Sequence, residues 1–177
     1  MNFDSTISQA TMALQRETEE SMIAALGIVY CLNRGLSCGP NILMHFVEGP
    51  DTRQFEQNYL GQYEADFLYI TKNNYLYEVE VKISIEDFRA DQKKKHYHDH
   101  PDVRGFYYCI PEKIFTKHGD EIIQTCKSKG AGLIVKMDST GLKVFQKAKQ
   151  RKDVAPLDQW HIIYYLRLFA NKWVGRY

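Results

Sequence analysis

The stretch that decides the fold is Tyr75-Leu-Tyr-Glu-Val-Glu-Val-Lys-Ile83. Its polar and apolar residues alternate, which predicts a half-buried β-strand. Because successive side chains of a strand point to opposite faces, Glu78, Glu80 and Lys82 share one face. Burying three charged groups is costly unless they have partners or a function. This face is therefore the first place to look for a functional site.

A second strand is predicted just upstream, from Tyr63 to Thr71, and Lys72-Asn73-Asn74 between the two strands is a hairpin signal. A hairpin centred on Asn73 places Asp66 opposite Glu80, and Glu64 opposite Lys82. Directly opposed residues have Cβ atoms about 4.5–5.5 Å apart, close enough for two carboxylates to share one cation. A bulge would shift one strand's face and break this pairing.

The chemistry of these residues suits a hard divalent cation. Asp66 and Glu80 offer two oxygen ligands for Mg²⁺ or Mn²⁺, and the backbone carbonyl of Val81 offers a third. Lys82 is placed to hold or help deprotonate an attacking water, or to neutralise charge in a transition state. These are the parts that phosphodiester hydrolysis requires. The alternative is an exposed strand with a Glu–Lys ladder and no catalytic role.

The bulk properties fit one domain, residues 1–177, with a hydrophobic content of 44%. The apolar run 22–32 is too short to span a bilayer, and the first residues lack the basic start of a signal peptide. We therefore expect a cytoplasmic protein without membrane association. No C-x-x-C pair occurs, so the four cysteines are expected to be reduced, packed thiols.

Charge is divided unevenly along the chain. Residues 1–80 carry 4 Lys and Arg against 11 Asp and Glu, a net charge of −7, whereas residues 81–177 carry a net charge of +8. An acidic half that holds metal and a basic half that holds phosphates is typical of an enzyme of nucleic acids. The alternative is that the charges are scattered over a solvated surface.

The remaining elements are predicted from periodicity and turn signals. The order is helix, three strands, helix, strand, helix, strand and a C-terminal helix, with a short extra strand at 142–145, which makes one mixed α/β domain with a mixed sheet. Predicted helices are 5–34, 84–98, 112–127 and 156–172, and predicted strands are 41–48, 63–71, 75–83, 105–110 and 131–137.

A longer segment, Glu80-Val-Lys-Ile-Ser-Ile-Glu-Asp-Phe-Arg-Ala-Asp-Gln-Lys-Lys-Lys-His-Tyr97, resembles the signature of the MmcB-like DNA-repair family of the PD-(D/E)xK nuclease superfamily. The similarity continues in Phe106–Pro111 and Gly130–Val135. The resemblance implies a restriction-endonuclease-like αβββαβ core with an extra C-terminal helix, and a metal-dependent nuclease site on the central hairpin.

By position, Asp66 matches the superfamily aspartate, Glu80 the second acid and Lys82 the lysine. Glu19 resembles the helical glutamate often added to such sites, with Glu20 as the competing choice. The resemblance therefore implies Asp66, Glu80, Lys82 and Glu19 as catalytic residues, and Asp66, Glu80, the Val81 carbonyl and Glu19 as metal ligands. Two features depart from the pattern: Ala65 stands where a proline is common, and Glu78 adds an acid to the same face.

Other residues suggest contacts with nucleic acid. Two basic runs are candidates to follow a phosphate backbone, although each is also typical of a solvated surface; their members are Lys93, Lys94, Lys95, Lys147, Lys149 and Arg151. Tyr97, Tyr107 and Tyr108 are candidates to stack on bases. His96, His98 and His100 have spacings that suggest zinc, but histidines at a helix end are the simpler explanation.

Together these patterns predict a Mg²⁺- or Mn²⁺-dependent endodeoxyribonuclease that acts in DNA repair or in a mobile-element context. DNA is the expected partner, RNA is left open, and a homodimer or a larger nucleic-acid complex is compatible with the sequence. Two alternatives stay open: a nucleic-acid-binding module with the fold but no cleavage, and an interaction subunit of a larger complex.

Overall fold

The computed structural model describes residues 18–47, 59–93, 100–137 and 141–174. These form a mixed α/β fold in which helices pack on a six-stranded sheet. The strands are β1 (Ser37–Val47), β2 (Tyr59–Ile70), β3 (Leu76–Val81), β4 (Val103–Pro111), β5 (Gly132–Met137) and β6 (Gly141–Gln146). The helices are α1 (Glu19–Gly27), α2 (Ile85–Asp91), α3 (Glu112–Lys129) and α4 (Gln159–Val174), with a π-helix at Ile28–Asn33.

The six strands lie side by side in chain order. β1, β2 and β3 are antiparallel, β3, β4 and β5 are parallel, and β6 returns antiparallel to β5. The parallel steps pass through helices α2 and α3, as parallel connections generally require. The mixed sheet and the predicted order of elements are therefore confirmed.

The register of the β2–β3 hairpin is the one predicted. Phe67 pairs with Val79, and Leu68 with Glu78, as a turn centred on Asn73 requires. Asn74 in the turn has a φ of 61°, a conformation that asparagine tolerates better than most residues. The turn thus places Asp66 next to Glu80 along the ladder.

The sheet is covered on both faces. Helix α1 packs against one face, where Met22, Ile23 and Leu26 meet Phe67 and Val79. On the opposite face α4 covers β1 and β2, and α2 and α3 cover β4 and β5. The face of β3 that carries its charged residues is therefore enclosed by helices, which excludes the exposed Glu–Lys ladder.

Within the described residues the N-terminal helix is present as predicted, from Glu19 to Asn33. Thr18 caps it by accepting a hydrogen bond from the Ser21 N–H at 3.2 Å, and the part predicted for residues 5–17 lies outside the described range. After Gly27 the chain continues as a π-helix, then turns at Gly35, whose φ is 63°.

The prediction that all cysteines are reduced is wrong for one pair. Cys31 in the π-helix and Cys38 in β1 form a disulfide. The chain reverses direction at Gly35, which brings the two residues together although their spacing matches no short motif. Cys109 and Cys126 are buried free thiols, as predicted.

The C-terminal helix meets the sheet along one stripe of its residues. Tyr165 and Phe169 are buried against the sheet, whereas Trp160, Ile163 and Leu166 are exposed. The helix begins at Gln159, and the Asp158 carboxylate accepts a hydrogen bond from the His161 N–H at 2.8 Å. Among the described helices, none is long and apolar enough to cross a membrane.

Candidate functional site

The predicted residues meet where β3 ends. The regular β2–β3 ladder extends to the pair Phe67–Val79. One alternation further on, a continued ladder would join Val81 to Ala65. Instead the Oδ2 atom of Asp66 accepts a hydrogen bond from the Val81 N–H at 2.7 Å. The Asp66 carboxylate thus replaces the backbone carbonyl that would otherwise accept from the Val81 N–H, at the open end of the hairpin (its mouth).

A change of face in β2 explains why the ladder ends here. Ala65 and Leu68 pack in the same hydrophobic cluster although they are three residues apart. Residues of a regular strand share a face only at even spacings. On the neighbouring strand β1, Asn41 stands across from Asp66 and has a φ of 50°. The sheet is therefore irregular at the position where a carboxylate leaves the ladder.

Asp66 is held in an environment that disfavours its charge. Burial and the nearby Glu80 carboxylate raise the pKa of Asp66 to about 8, and the charge of Glu19 adds to this, although the Val81 N–H and Lys82 act in the opposite direction. Three carboxylates from α1, β2 and β3 are thus electrostatically coupled. A cation placed among these carboxylates would reduce their mutual repulsion.

Lys82 supplies a cation from the protein itself. Its Nζ atom lies 2.6 Å from Glu80 Oε1, 3.4 Å from Asp91 Oδ1 and 3.7 Å from Asp87 Oδ2. Burial opposes the charged form, but these three carboxylates outweigh it and raise the pKa of Lys82 above its usual value. Glu64, which the hairpin rule placed opposite Lys82, is exposed and lies beyond the end of the ladder.

Glu78 lies deeper on the same face of β3. It is fully buried, and its Oε2 atom accepts a hydrogen bond from the Tyr63 hydroxyl at 2.7 Å. Burial raises the pKa of Glu78 well above its usual value. Sequence reasoning missed Tyr63, because in a regular β2 strand its side chain would point away from the face that carries Glu78. The face change in β2 turns Tyr63 toward that face.

The basic residues predicted to contact nucleic acid do not all lie near this cluster. Lys93 is exposed just after α2, whereas Lys94 and Lys95 lie outside the described residues. Lys147 and Lys149 are exposed beyond β6. The Arg151 guanidinium donates to the His100 carbonyl and to Asp153, each at 2.8 Å.

The segment that carries Lys147, Lys149 and Arg151 runs along the opposite end of the parallel strands. The Lys149 N–H donates to the Gly130 carbonyl and the Arg151 N–H to the Arg104 carbonyl. Both acceptors lie at the beginnings of β5 and β4, whereas Glu80 and Lys82 lie at the end of β3. The acidic cluster and this basic segment are therefore separate surfaces.

Most of the tyrosines suggested to stack on bases and of the histidines suggested to bind zinc are outside the described residues or buried. Tyr108 is fully buried, so it cannot stack on a base in this structure, and Tyr97 lies outside the described residues. His100 is buried: its Nε2 donates to the His45 carbonyl at 3.1 Å, and its Nδ1 accepts from the Asp102 N–H. His96 and His98 lie outside the described residues.

Within the part of the chain that the structure describes, no group of three or more His, Cys, Asp or Glu side chains is placed to hold a metal ion. The donor chemistry at the end of β3 nevertheless suits Mg²⁺, which is commonly bound by one or two carboxylates and keeps several waters. Asp66 and Glu80 are two such carboxylates.

Comparison with known proteins gives the family. The model of the MmcB-like DNA repair proteins matches residues 60–158, which is more than half of the chain and includes the whole cluster on β2, β3 and α2. The chain belongs to the MmcB-like DNA repair family. This membership connects the protein with DNA repair and confirms the resemblance carried by Glu80–Tyr97.

Other comparisons add less. No curated protein matches the chain. A solved structure of a protein of unknown function from Silicibacter pomeroyi is similar to it, with 15% sequence identity and a TM-score of 0.49 over 87% of this chain and 82% of the other.

Proposed function

We propose that this MmcB-like protein is a metal-dependent nuclease that hydrolyses phosphodiester bonds of DNA during repair. The observation that carries the proposal is the meeting of Asp66, Glu80 and Lys82 at the end of β3. Two acids next to a lysine at the mouth of a hairpin are the parts that metal-assisted phosphodiester hydrolysis uses. The same arrangement supports placing the chain in the PD-(D/E)xK superfamily with a restriction-endonuclease-like core.

The residues fit a Mg²⁺ or Mn²⁺ ion by their chemistry. Asp66 and Glu80 would provide carboxylate oxygens, and a cation would relieve the repulsion that raises the pKa of Asp66. The N–H and C=O of one strand residue point to the same neighbouring strand, so the Val81 carbonyl is expected on the Asp66 side of β3. The charge of Glu19 acts on Asp66, which supports Glu19 rather than Glu20 as the helical ligand. When bound, the metal would activate water and neutralise phosphate charge.

The remaining proposed roles belong to lysine side chains of the protein. Lys82 is a cation at neutral pH because three carboxylates raise its pKa. It is therefore suited to orient a water or a phosphate oxygen and to neutralise charge in the transition state, rather than to accept a proton. The exposed Lys93 and its neighbours in the sequence, Lys94 and Lys95, are proposed to follow the DNA backbone as it leaves the site.

The test is cleavage of supercoiled plasmid and of single-stranded DNA by the purified chain, with Mg²⁺ or Mn²⁺ and with a chelator. Asp66→Asn, Glu80→Gln and Lys82→Ala should each abolish cleavage, while Glu64→Gln, an exposed acid on the same strand, should cut like the wild type. If all four variants cut equally, the activity comes from a contaminant and the proposal fails.

A second candidate is a DNA-binding protein with this fold that does not cut. It is favoured by the absence of a preformed metal cluster among the described residues and by the close Glu80–Lys82 ion pair at 2.6 Å. A gel shift of DNA without cleavage in either metal, together with no Mn²⁺ binding by calorimetry, would select this candidate.

A further inference from the structure

The lysine at the site has a carboxylate behind it that lies outside the proposed catalytic set. Asp91 is the last residue of α2 and is buried, with 1% of its surface exposed. Its Oδ1 atom lies 3.4 Å from Lys82 Nζ. A carboxylate at the C-terminal end of a helix is unfavourable with respect to the helix dipole. Its position therefore requires strong compensating partners.

Tyr108 provides the second partner. Its hydroxyl donates to Asp91 Oδ2 at 2.7 Å. Tyr108 lies on β4 directly beside Glu80 in the parallel register, so the two side chains rise from the same face of the sheet. Asp91 thus uses one oxygen for Tyr108 and the other for Lys82, and it forms a bridge between the core of the sheet and the lysine.

The tyrosine is itself firmly fixed. Phe88 and Phe106 pack edge-to-face against its ring, each with ring centroids 4.9 Å away. The Gln92 amide lies 3.4 Å from the Tyr108 hydroxyl and also donates to the Phe88 carbonyl at 2.8 Å. A ring held on several sides cannot swing away, so the hydroxyl is a rigid support for Asp91.

Lysine side chains ordinarily extend to solvent, because their stems are flexible and their ammonium groups are strongly hydrated. Lys82 instead has only 4% of its surface exposed. Asp87 and Asp91 are four residues apart, so they lie on the same face of α2 and both approach the ammonium. Asp87 is half exposed, which leaves Asp91 as the rigid member of the pair.

We propose that Asp91, supported by Tyr108, is a positioning residue that holds the Lys82 ammonium against Glu80 at the mouth of the hairpin. Its relevance to catalysis rests on the proposed nuclease function, but its effect on Lys82 does not. Asp91 acts through Lys82 and touches no reacting atom. If Asp91 served only to pack α2 on the sheet, removing the Tyr108 hydroxyl would leave the Lys82 ammonium in place.

The first measurement is independent of activity. In ¹⁵N-lysine-labelled protein, a buried, ion-paired ammonium exchanges its protons slowly enough to give an NMR signal, which Lys82→Ala would assign. We expect Asp91→Asn and Tyr108→Phe to broaden or abolish this signal. Two controls should preserve it: Glu86→Gln, an exposed acid on α2, and Tyr107→Phe, which removes a hydroxyl on the other face of β4.

The second measurement uses cleavage of plasmid DNA with Mn²⁺. Displacing a catalytic group by about 1 Å can cost roughly 100-fold in rate, so kcat should fall on the order of 10- to 100-fold in Asp91→Asn and Tyr108→Phe. KM should change less than kcat, because Lys82 is proposed to act mainly on the charge that develops in the transition state. Amide ¹H–¹⁵N spectra establish that each variant is folded, and Tyr108→Phe serves if Asp91→Asn does not fold.

The outcomes separate the two proposals. A Lys82 signal that is unchanged in Tyr108→Phe overturns the positioning role, whether or not the protein cuts DNA. A Lys82 signal lost in both variants supports that role even if the wild type cuts no DNA, in which case only the nuclease function fails. An unchanged kcat with a lost signal overturns the catalytic relevance of the positioning.

Discussion

At the scale of single residues, the site is a set of charges that the fold places at a cost in stability. Glu78, Glu80, Lys82 and Asp91 are all buried, and the described structure pairs Lys82 with two of the three acids. Removing one member of a buried ion pair commonly costs about 3–5 kcal/mol. Lys82→Ala should therefore reduce stability as well as activity.

Asp66 allows a sharper prediction. Its pKa of about 8 in the folded chain is above the ordinary 3.8, so Asp66 favours folding most at low pH, and this contribution is lost as pH rises toward 8. Asp66→Asn removes the titration, and its carbonyl can still accept from the Val81 N–H. We expect the variant to gain stability over the wild type as pH rises from about 4 to about 8, with a constant difference above that.

Urea unfolding across this pH range, with Glu64→Gln as the exposed control, measures the effect. Adding Mg²⁺ at the upper end should reduce the difference, because a ligand that binds only the folded wild type stabilises it. If Mg²⁺ leaves the difference unchanged, Asp66 is not a metal ligand.

At the scale of elements, the cap of α2 connects local structure with the site. Ser84 caps this helix by accepting a hydrogen bond from the Asp87 N–H at 3.1 Å. Ser84→Ala should lower the free energy of unfolding by about 1 kcal/mol, whereas Ser84→Thr keeps the hydroxyl and should cost less. Chemical denaturation tests this, and equal losses in both variants would show that the cap hydrogen bond is not the source.

Sequence reasoning succeeded here where local rules decide the geometry. The turn at Asn73 fixes the hairpin register through residue separation alone, and the alternation in 75–83 locates the face of the strand that carries the buried charged residues. It failed where a contact between distant parts of the chain sets the local geometry. The face change at Asp66 lies across from the irregular backbone of Asn41 in β1, and the Cys31–Cys38 disulfide requires the chain reversal at Gly35. The wide amphipathic pattern of α4 did not reveal which stripe meets the sheet.

The packing of helix α4 on β1 can be tested at Gly39. A Cβ atom added to Gly39 in β1 would lie 2.9 Å from the Phe169 backbone Cα, which cannot move without shifting the helix. Gly39→Ala should therefore destabilise the protein by about 1–3 kcal/mol. Gly119→Ala, where a Cβ meets Phe115 at an ordinary 3.4 Å, is the control. A neutral Gly39→Ala would mean that α4 packs elsewhere in solution.

At the scale of the whole molecule, the acidic cluster and the basic segment lie at opposite ends of the parallel strands. The acidic cluster occupies the end of β3, and the basic segment after β6 runs past the beginnings of β4 and β5. From Arg104, which binds this segment, to Tyr108, which lies beside Glu80, is four residues, or about 13 Å along the strand at about 3.3 Å per residue. A DNA molecule that contacts both surfaces must therefore span at least this distance.

This separation predicts that Lys147 contributes to affinity and not to chemistry. Each lysine that neutralises a phosphate adds about one unit to the slope of log K against log salt concentration. Lys147→Ala should therefore reduce the magnitude of that slope by about 1 while leaving kcat of any cleavage unchanged. Lys147→Arg keeps the charge and should preserve the slope. Fluorescence anisotropy of a labelled duplex over a salt series makes the measurement. An unchanged slope in Lys147→Ala would show that DNA does not extend to this end of the sheet, and it would restrict the proposed interface to the end of β3 and the lysines that follow α2.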